Sequence, residues 1–500
     1  MTLEEKVGQM LCFAFIGTEY SKQVDTIIND FNAGGVIYFA SNITSPAQAA
    51  ALNKKIQETA KIPLFTCIDQ EGGSVLRIID GIVPFPGAMA LSATDKNIED
   101  LCYNVGKDLK SLGFNLNHAP VADVNSNPAN PVINSRAYSD DPQRVAKYVC
   151  EAFKGFQRAK VLPTIKHFPG HGNTSQDSHL LMPSLNSTKE EIKQNELIPF
   201  QKAFDEGADG VMVSHVLYTA YDEKNPATLS KPIMTDLLQK EMGFKGLIVT
   251  DSLTMGAIVE NYTTDEVIRL CVGAGVDMMI FCGPAKLEDQ AYIYNKFVEM
   301  VKNNEISMER IDHSVKKILE LKEKYCYGEI STDNLADEKA TQDAIKLSEE
   351  SITQVLSNGI LPLKETDKVL VISTQIKVIC LVDNENSGYR TINEFLHKDE
   401  FVIDSTLSNF DEVISKAKNY DKIIFATYNV KKNDFQTKVF NALDKEKTVV
   451  VSLRSPYDII NLEGIKNYVC AYEATPLAFN SVSKCLTGKI KFNGKAPIKF

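Results

Sequence analysis

Short apolar runs recur through the first two thirds of the chain, and stretches with apolar residues every third or fourth position separate them. The runs at 10–16, 35–39, 64–69, 114–123, 161–167, 210–215, 247–251 and 277–281 predict eight strands. Segments such as 46–60, 97–112, 143–158, 189–206 and 264–274 between them carry helical periodicity. This alternation predicts a (β/α)8 TIM-type barrel over residues 1–327, with a doubly wound open sheet as the alternative. A charged helical pattern at 310–324 leads into residues 328–340, which read as a linker. Residues 341–500 begin a second alternation. Strand-like runs at 369–373, 378–382, 422–427, 448–453 and 468–472, with helical patterns at 411–418 and 434–444, predict a smaller α/β sandwich of αβα layers. It contains no nucleotide-binding fingerprint; the isolated Gly464 and Gly488 read as turn residues.

Barrels of this kind keep their chemistry at the C-terminal ends of the strands. Here the third strand ends at Asp69-Gln70-Glu71-Gly72-Gly73, the fourth at Asp123, the fifth at Lys166-His167, the sixth at Ser214-His215 and the seventh at Thr250-Asp251-Ser252. Charged or imidazole groups thus follow five consecutive apolar runs, always at the same end. The densest group lies just after the fifth strand. His167, His171 and His179 are three of the chain's 7 histidines, and Asp177 stands two residues before the last. Pro169, Gly170 and Gly172 oppose a helix there, so these side chains belong to a strand end and its loop. An imidazole titrates near neutrality and suits acid–base work. The competing reading is zinc, since His167, His171, Asp177 and His179 are ligand types, but the helical spacing of metalloprotease motifs is missing. The expectation is a site without metal or cofactor.

Composition narrows the partner. A chain of 500 residues exceeds a single core and suggests two domains. A net charge of −11 without any Lys/Arg-rich run argues against nucleic acid and anionic membranes, leaving a small molecule as the expected partner. Ten cysteines, among them Cys12, Cys67, Cys271, Cys282 and Cys470, sit mostly in apolar runs without CxxC pairs and read as reduced, buried thiols. The first seven residues resemble a capped helix start rather than a signal peptide, and no apolar stretch reaches membrane-spanning length. The expected state is a cytoplasmic monomer or weak oligomer.

The motifs together resemble those of bacterial β-N-acetylglucosaminidases of glycoside hydrolase family 3, of the two-domain type. They are Asp69-Gln70-Glu71-Gly72-Gly73, the 85–91 segment Phe-Pro-Gly-Ala-Met-Ala-Leu, Ala119-Pro120-Val121-Ala122-Asp123-Val124, Ser135-Arg136, the 166–179 loop and the 250–258 segment. In the second domain the resemblance continues through Ser452-Leu453-Arg454-Ser455-Pro456-Tyr457 and Glu473-Ala474-Thr475-Pro476-Leu477. What it implies is a retaining double displacement. Asp251 matches the nucleophile, and His179, paired with Asp177, matches an acid/base that replaces the usual second carboxylate. Asp69, Arg136, Lys166 and His167 would line the N-acetylglucosamine subsite, with Arg77 and Asp123 nearby. Lys166 and Arg136 are expected to favour the Asp251 anion or to hold sugar oxygens. The substrate implied is terminal β-linked N-acetylglucosamine on muropeptides or GlcNAc-MurNAc fragments, as in peptidoglycan recycling. A phosphorylase, a broader β-glycosidase and a non-catalytic sugar-binding protein are the alternatives.

Residue by residue, plainer roles stand beside these. Asp251 could cap a helix, Arg77 and Asp123 could form a structural ion pair, His171 could only shape its loop, and His215 could be a site wall. Ser74, Asn173 and Ser252 depart from the family's commoner arginine, aspartate and acidic residue at those places, which bears on the fine subsite contacts.

Overall fold

The computed structural model describes residues 1–283, 285–374 and 391–500. Its first sheet contains β1 (Leu11–Ala14), β2 (Gly35–Tyr38), β3 (Phe65–Ile68), β4 (Leu116–Asn117), β5 (Leu162–Pro163), β6 (Ile165–Phe168), β7 (Gly210–Val213), β8 (Leu247–Ser252) and β9 (Met278–Phe281). All pairings are parallel, in the order β5-β4-β3-β2-β1-β9-β8-β7-β6. The two ends of that order, β5 and β6, are halves of one stave divided at Thr164, so the sheet closes into eight staves. Pro163 has no N–H to give a ladder, while Leu162 and Thr164 on either side donate to the Asn115 and Asn117 carbonyls at 2.8 and 3.0 Å. The fourth stave is shorter than its 114–123 run because Pro120 likewise cannot donate; beyond Asn117 only Val121 bridges across, to Lys166. Leu11–Ala14, Gly35–Tyr38, Phe65–Ile68 and Met278–Phe281 are buried throughout, as continuous apolar runs covered by helices require.

The expected helix at 189–206 is two helices, Lys189–Gln194 and Leu197–Asp205. Pro199 would clash with the carbonyl of Asn195 in a continuous helix, and the chain restarts instead.

The second sheet contains β10 (Thr353–Leu356), β11 (Val369–Thr374), β12 (Asp399–Ile403), β13 (Lys422–Thr427), β14 (Thr448–Ser452) and β15 (Asn467–Cys470), ordered β10-β15-β14-β13-β11-β12. Only β10 is antiparallel. The run at 378–382 lies outside the described residues. The helix Glu338–Ser351 begins where a linker is expected, capped by the Asp337 side chain.

One short helix joins the two units. Ala88–Ala93 follows β3 in the chain, yet Met89, Ala90 and Ala93 pack in the core of the second sheet with Leu370, Phe425, Val450 and Tyr468. Burying the Met89 side chain completely contributes about 2 kcal/mol to that junction. Among the described residues no helix is long and apolar enough to cross a membrane.

Candidate active site

A cavity of about 290 Å³ opens at the C-terminal end of the barrel. Asp69, Arg77, Arg136, Lys166, His167, His179 and Asp251 line it. Asp123 and Asp177, the other two expected site residues, stand behind it, each bonded to an imidazole that does line it.

Asp251 is the penultimate residue of β8, so the strand aims it at the barrel mouth. Its Oδ1 accepts the N–H of Ser252 at 2.7 Å. It does not cap the helix that follows, Gly256–Val259, whose cap position is Met255. Burial would raise its carboxyl, but the imidazoles of His167, His215 and His179 and the Ser252 N–H outweigh that and lower it to about 2. Asp251 is therefore an anion at neutral pH. His215, expected as a site wall, is not among the cavity's lining residues and instead holds this strand end: its Nε2 lies 2.8 Å from the Ser252 carbonyl and its Nδ1 2.8 Å from Thr228 Oγ1. Burial lowers its pKa, which fits a neutral ring donating to that carbonyl.

The cations of the site are engaged elsewhere than expected. Lys166 Nζ lies 2.8 Å from Asp69 Oδ1 and 2.6 Å from Glu71 Oε1, while Arg136 grips Glu71 through Nε at 2.9 Å and Nη2 at 2.8 Å. Arg77 adds a longer contact of 3.6 Å to Asp69. The result is a buried chain, Arg77–Asp69–Lys166–Glu71–Arg136. Burial alone would raise both carboxyls, but Lys166 and Arg77 hold Asp69 well below its ordinary value, and Arg136 and Lys166 bring Glu71 to about 2. Burial works against the Lys166 ammonium, and Asp69 and Glu71 reverse it, raising its pKa. Of the two roles expected for Lys166 and Arg136, favouring the Asp251 anion or holding sugar oxygens, the first is corrected: Lys166 pairs with Asp69 and Glu71, and Arg136 with Glu71. Glu71 is the residue that sequence reasoning passed over. The structure shows why it is needed: Arg77, Lys166 and Arg136 are three buried cations, and Asp69 supplies only one negative charge.

Asp123 pairs with His167, not with Arg77. Its Oδ2 lies 2.7 Å from His167 Nδ1, and its Oδ1 accepts the His171 N–H at 2.6 Å. Burial would raise this carboxyl and His167 lowers it.

The loop after β6 is held by polar cross-links. His171 Nδ1 lies 2.8 Å from Thr174 Oγ1 and Nε2 2.9 Å from Ser178 Oγ, so both ring nitrogens serve the loop. Burial lowers its pKa to about 4, leaving a neutral ring whose two nitrogens face the Thr174 and Ser178 hydroxyls. Asn130 Nδ2 donates to the carbonyls of His171 and Gly172 at 2.9 and 3.1 Å. Gly172 passes so close to Val124 that a Cβ would stand 1.8 Å from its carbonyl oxygen. At the far end His179 Nδ1 lies 2.7 Å from Asp177 Oδ1, and the His179 carbonyl accepts the Gly256 N–H at 3.1 Å. The loop is thereby seated on the helix just beyond Asp251. Burial tends to raise the Asp177 carboxyl, but its bonds to His179 lower it.

Chemically, the cavity offers an ionised carboxylate, an imidazole oriented by a second carboxylate, and a row of fixed donors suited to hydroxyl groups. Comparison with known proteins agrees in kind. Residues 2–321 match the glycosyl hydrolase family 3 N-terminal domain. The chain is similar to beta-hexosaminidase A of Pseudoalteromonas piscicida, 29% identical over 548 residues that cover 96% of this chain and 91% of that one. A beta-hexosaminidase of Photobacterium profundum is 36% identical over 273 residues, 53% of this chain and 80% of its own length. A glycoside hydrolase family 3 beta-N-acetylglucosaminidase from Paenibacillus sp. str. FPU-7 has a similar structure, with a TM-score of 0.94 at 34% identity over 100% of this chain and 99% of that one.

Proposed function

The chain belongs to glycoside hydrolase family 3, and we propose that it is a retaining exo-β-N-acetylglucosaminidase with Asp251 as nucleophile and the His179–Asp177 pair as acid/base. The observation that carries this is the presence of Asp251 and His179 in one cavity, the first held as an anion and the second oriented by Asp177.

Asp251 attacks the anomeric carbon while the protonated His179 gives its Nε2 proton to the departing glycosidic oxygen. An ester between Asp251 and the sugar results, and the aglycone leaves as an alcohol. Neutral His179 then takes a proton from water, whose oxygen attacks the same carbon and releases Asp251. Asp177 holds Nδ1–H throughout, so proton exchange falls to Nε2, and its charge stabilises the imidazolium. Asp69, Arg77, Lys166, Arg136 and His167 would bond the hydroxyl and acetamido groups of the terminal sugar. Every group in this scheme lies between Asp69 and Asp251, within the unit proposed for residues 1–327.

Muropeptides or GlcNAc-MurNAc fragments released during cell-wall recycling are the proposed natural substrates, on the strength of the family resemblance. The test is turnover of an aryl β-N-acetylglucosaminide beside the matching glucoside, with and without phosphate. The reading requires preference for the acetamido sugar and free N-acetylglucosamine as product. A sugar 1-phosphate, or preference for the glucoside, would replace it by a phosphorylase or a broader β-glycosidase.

A further inference from the structure

We propose that Glu473, beyond the last strand of the second sheet, is a positioning residue for the sugar subsite, acting through the loop that carries Glu71. The inference rests on the glycosidase reading. It gives a task to the second unit's two family motifs, which the chemistry leaves unused.

Glu473 follows β15 and is 2% exposed. Its Oε2 accepts the Gly87 N–H, and its Oε1 accepts the Thr475 hydroxyl at 3.0 Å. A Cβ on either Gly73 or Gly87 would stand 2.8 Å from Oε2, so glycine at both positions lets the carboxylate keep this placement without shifting. Gly73 donates to the Phe85 carbonyl at 3.0 Å, and Glu71 donates to the Val75 carbonyl at 3.0 Å. The tight turn that presents Glu71 to Lys166 and Arg136 is therefore stacked on the segment that Glu473 grips.

Two further grips repeat the arrangement. Asn134 Nδ2 donates to Ser455 Oγ at 3.1 Å, two residues before Arg136. Asn125 Nδ2 donates to Tyr457 Oη at 3.2 Å, two residues after Asp123. Three segments of the barrel mouth are thus each held by the second unit: two of the holds fall two residues from Arg136 and from Asp123, the partner of His167, and the third, on Gly87, backs the turn that carries Glu71. A displacement of about 1 Å in such groups costs on the order of a hundredfold in rate. Burial raises the Glu473 carboxyl to about 7, so a neutral glutamine is a close mimic that can still accept the Gly87 N–H.

The experiment compares Glu473→Ala and Glu473→Gln in the full chain. Thermal unfolding, KM and kcat on an aryl β-N-acetylglucosaminide, and hydrogen exchange of the 71–75 turn are measured for each. Glu473→Ala should raise KM about tenfold, lower kcat less, and speed exchange at 71–75, with cooperative unfolding retained. Glu473→Gln should restore KM to within about twofold of wild type. A cooperatively unfolding Ala variant with wild-type KM and exchange would overturn the proposal, as would a Gln variant as impaired as Ala. If Glu473→Ala does not fold, Tyr457→Phe removes one hydroxyl at the matching grip and should raise KM about threefold; an unchanged KM counts against positioning. A wild type that turns over no N-acetylglucosaminide defeats the functional reading alone, because exchange at 71–75 needs no substrate.

Discussion

One oxygen of Asp177 holds His179 twice: Oδ1 lies 2.7 Å from the ring Nδ1 and accepts the backbone N–H of the same residue at 2.9 Å. Ring orientation and loop backbone therefore share one anchor. His179→Ala should cripple substrates with poor leaving groups by about a hundredfold or more, and activated aryl glycosides far less, because a stable phenolate scarcely needs a proton. Azide should restore turnover where deglycosylation limits. Asp177→Asn should show the same pattern more mildly. Leaving-group series on the purified variants decide it; equal losses across the series without azide rescue would mean that the loop binds rather than protonates.

Glu71 accepts from Arg136 and Lys166 in a buried setting, so Glu71→Gln leaves an arginine facing an amide and should cost about 3 kcal/mol of stability. Its folded pKa is depressed to about 2 from 4.5, so its contribution is complete above about pH 4.5 and is lost as pH falls toward 2. Melting curves at pH 6 and pH 3.5 should therefore show a smaller acid loss in the variant than in the wild type. The variant should also lose at least about tenfold in kcat/KM, through KM more than kcat.

Lys322 is buried at the other end of the barrel, with its ammonium on Gln9 Oε1 at 2.6 Å and no carboxylate partner among the described residues. Burial lowers its pKa from 10.5 to about 8. The folded state favours the neutral amine, so the cost of charging it is full below about pH 8 and vanishes as pH rises to 10.5; that cost is on the order of 3 kcal/mol. Lys322→Met should raise the melting temperature at pH 7 and lose the gain that the wild type shows between pH 7 and 9.5. A lower melting temperature at pH 7 would show that the Gln9 bond outweighs the buried charge.

The eight barrel staves were legible because a strand buried on both faces must be apolar throughout, and the reactive rim because polar groups followed five of those runs in succession. What escaped were the two edges of the second sheet. Thr353–Leu356 and Asp399–Ile403 each pair on one side only and keep exposed positions, so polar residues open both and only two or three apolar residues follow. In the site, Asp251, His179 and Lys166 could be singled out from position, but not the pairing of Lys166. Its partners Asp69 and Glu71 lie 97 and 95 residues away in the chain, and strand spacing says nothing about which carboxylate faces which cation. The role of Asp123 was hidden for the same reason. Its partner His167 is on the neighbouring stave, 44 residues on in the chain, brought near by the parallel pairing of the two.

The covalent step tests the account most directly. Incubation with a mechanism-based fluorosugar of the N-acetylglucosamine series, followed by proteolysis and mass mapping, should place one sugar on the peptide containing Asp251. Asp251→Asn should abolish labelling and lower turnover by at least about a thousandfold with the fold intact. A label on another residue, or a folded Asp251→Asn enzyme of near-normal activity, would contradict it.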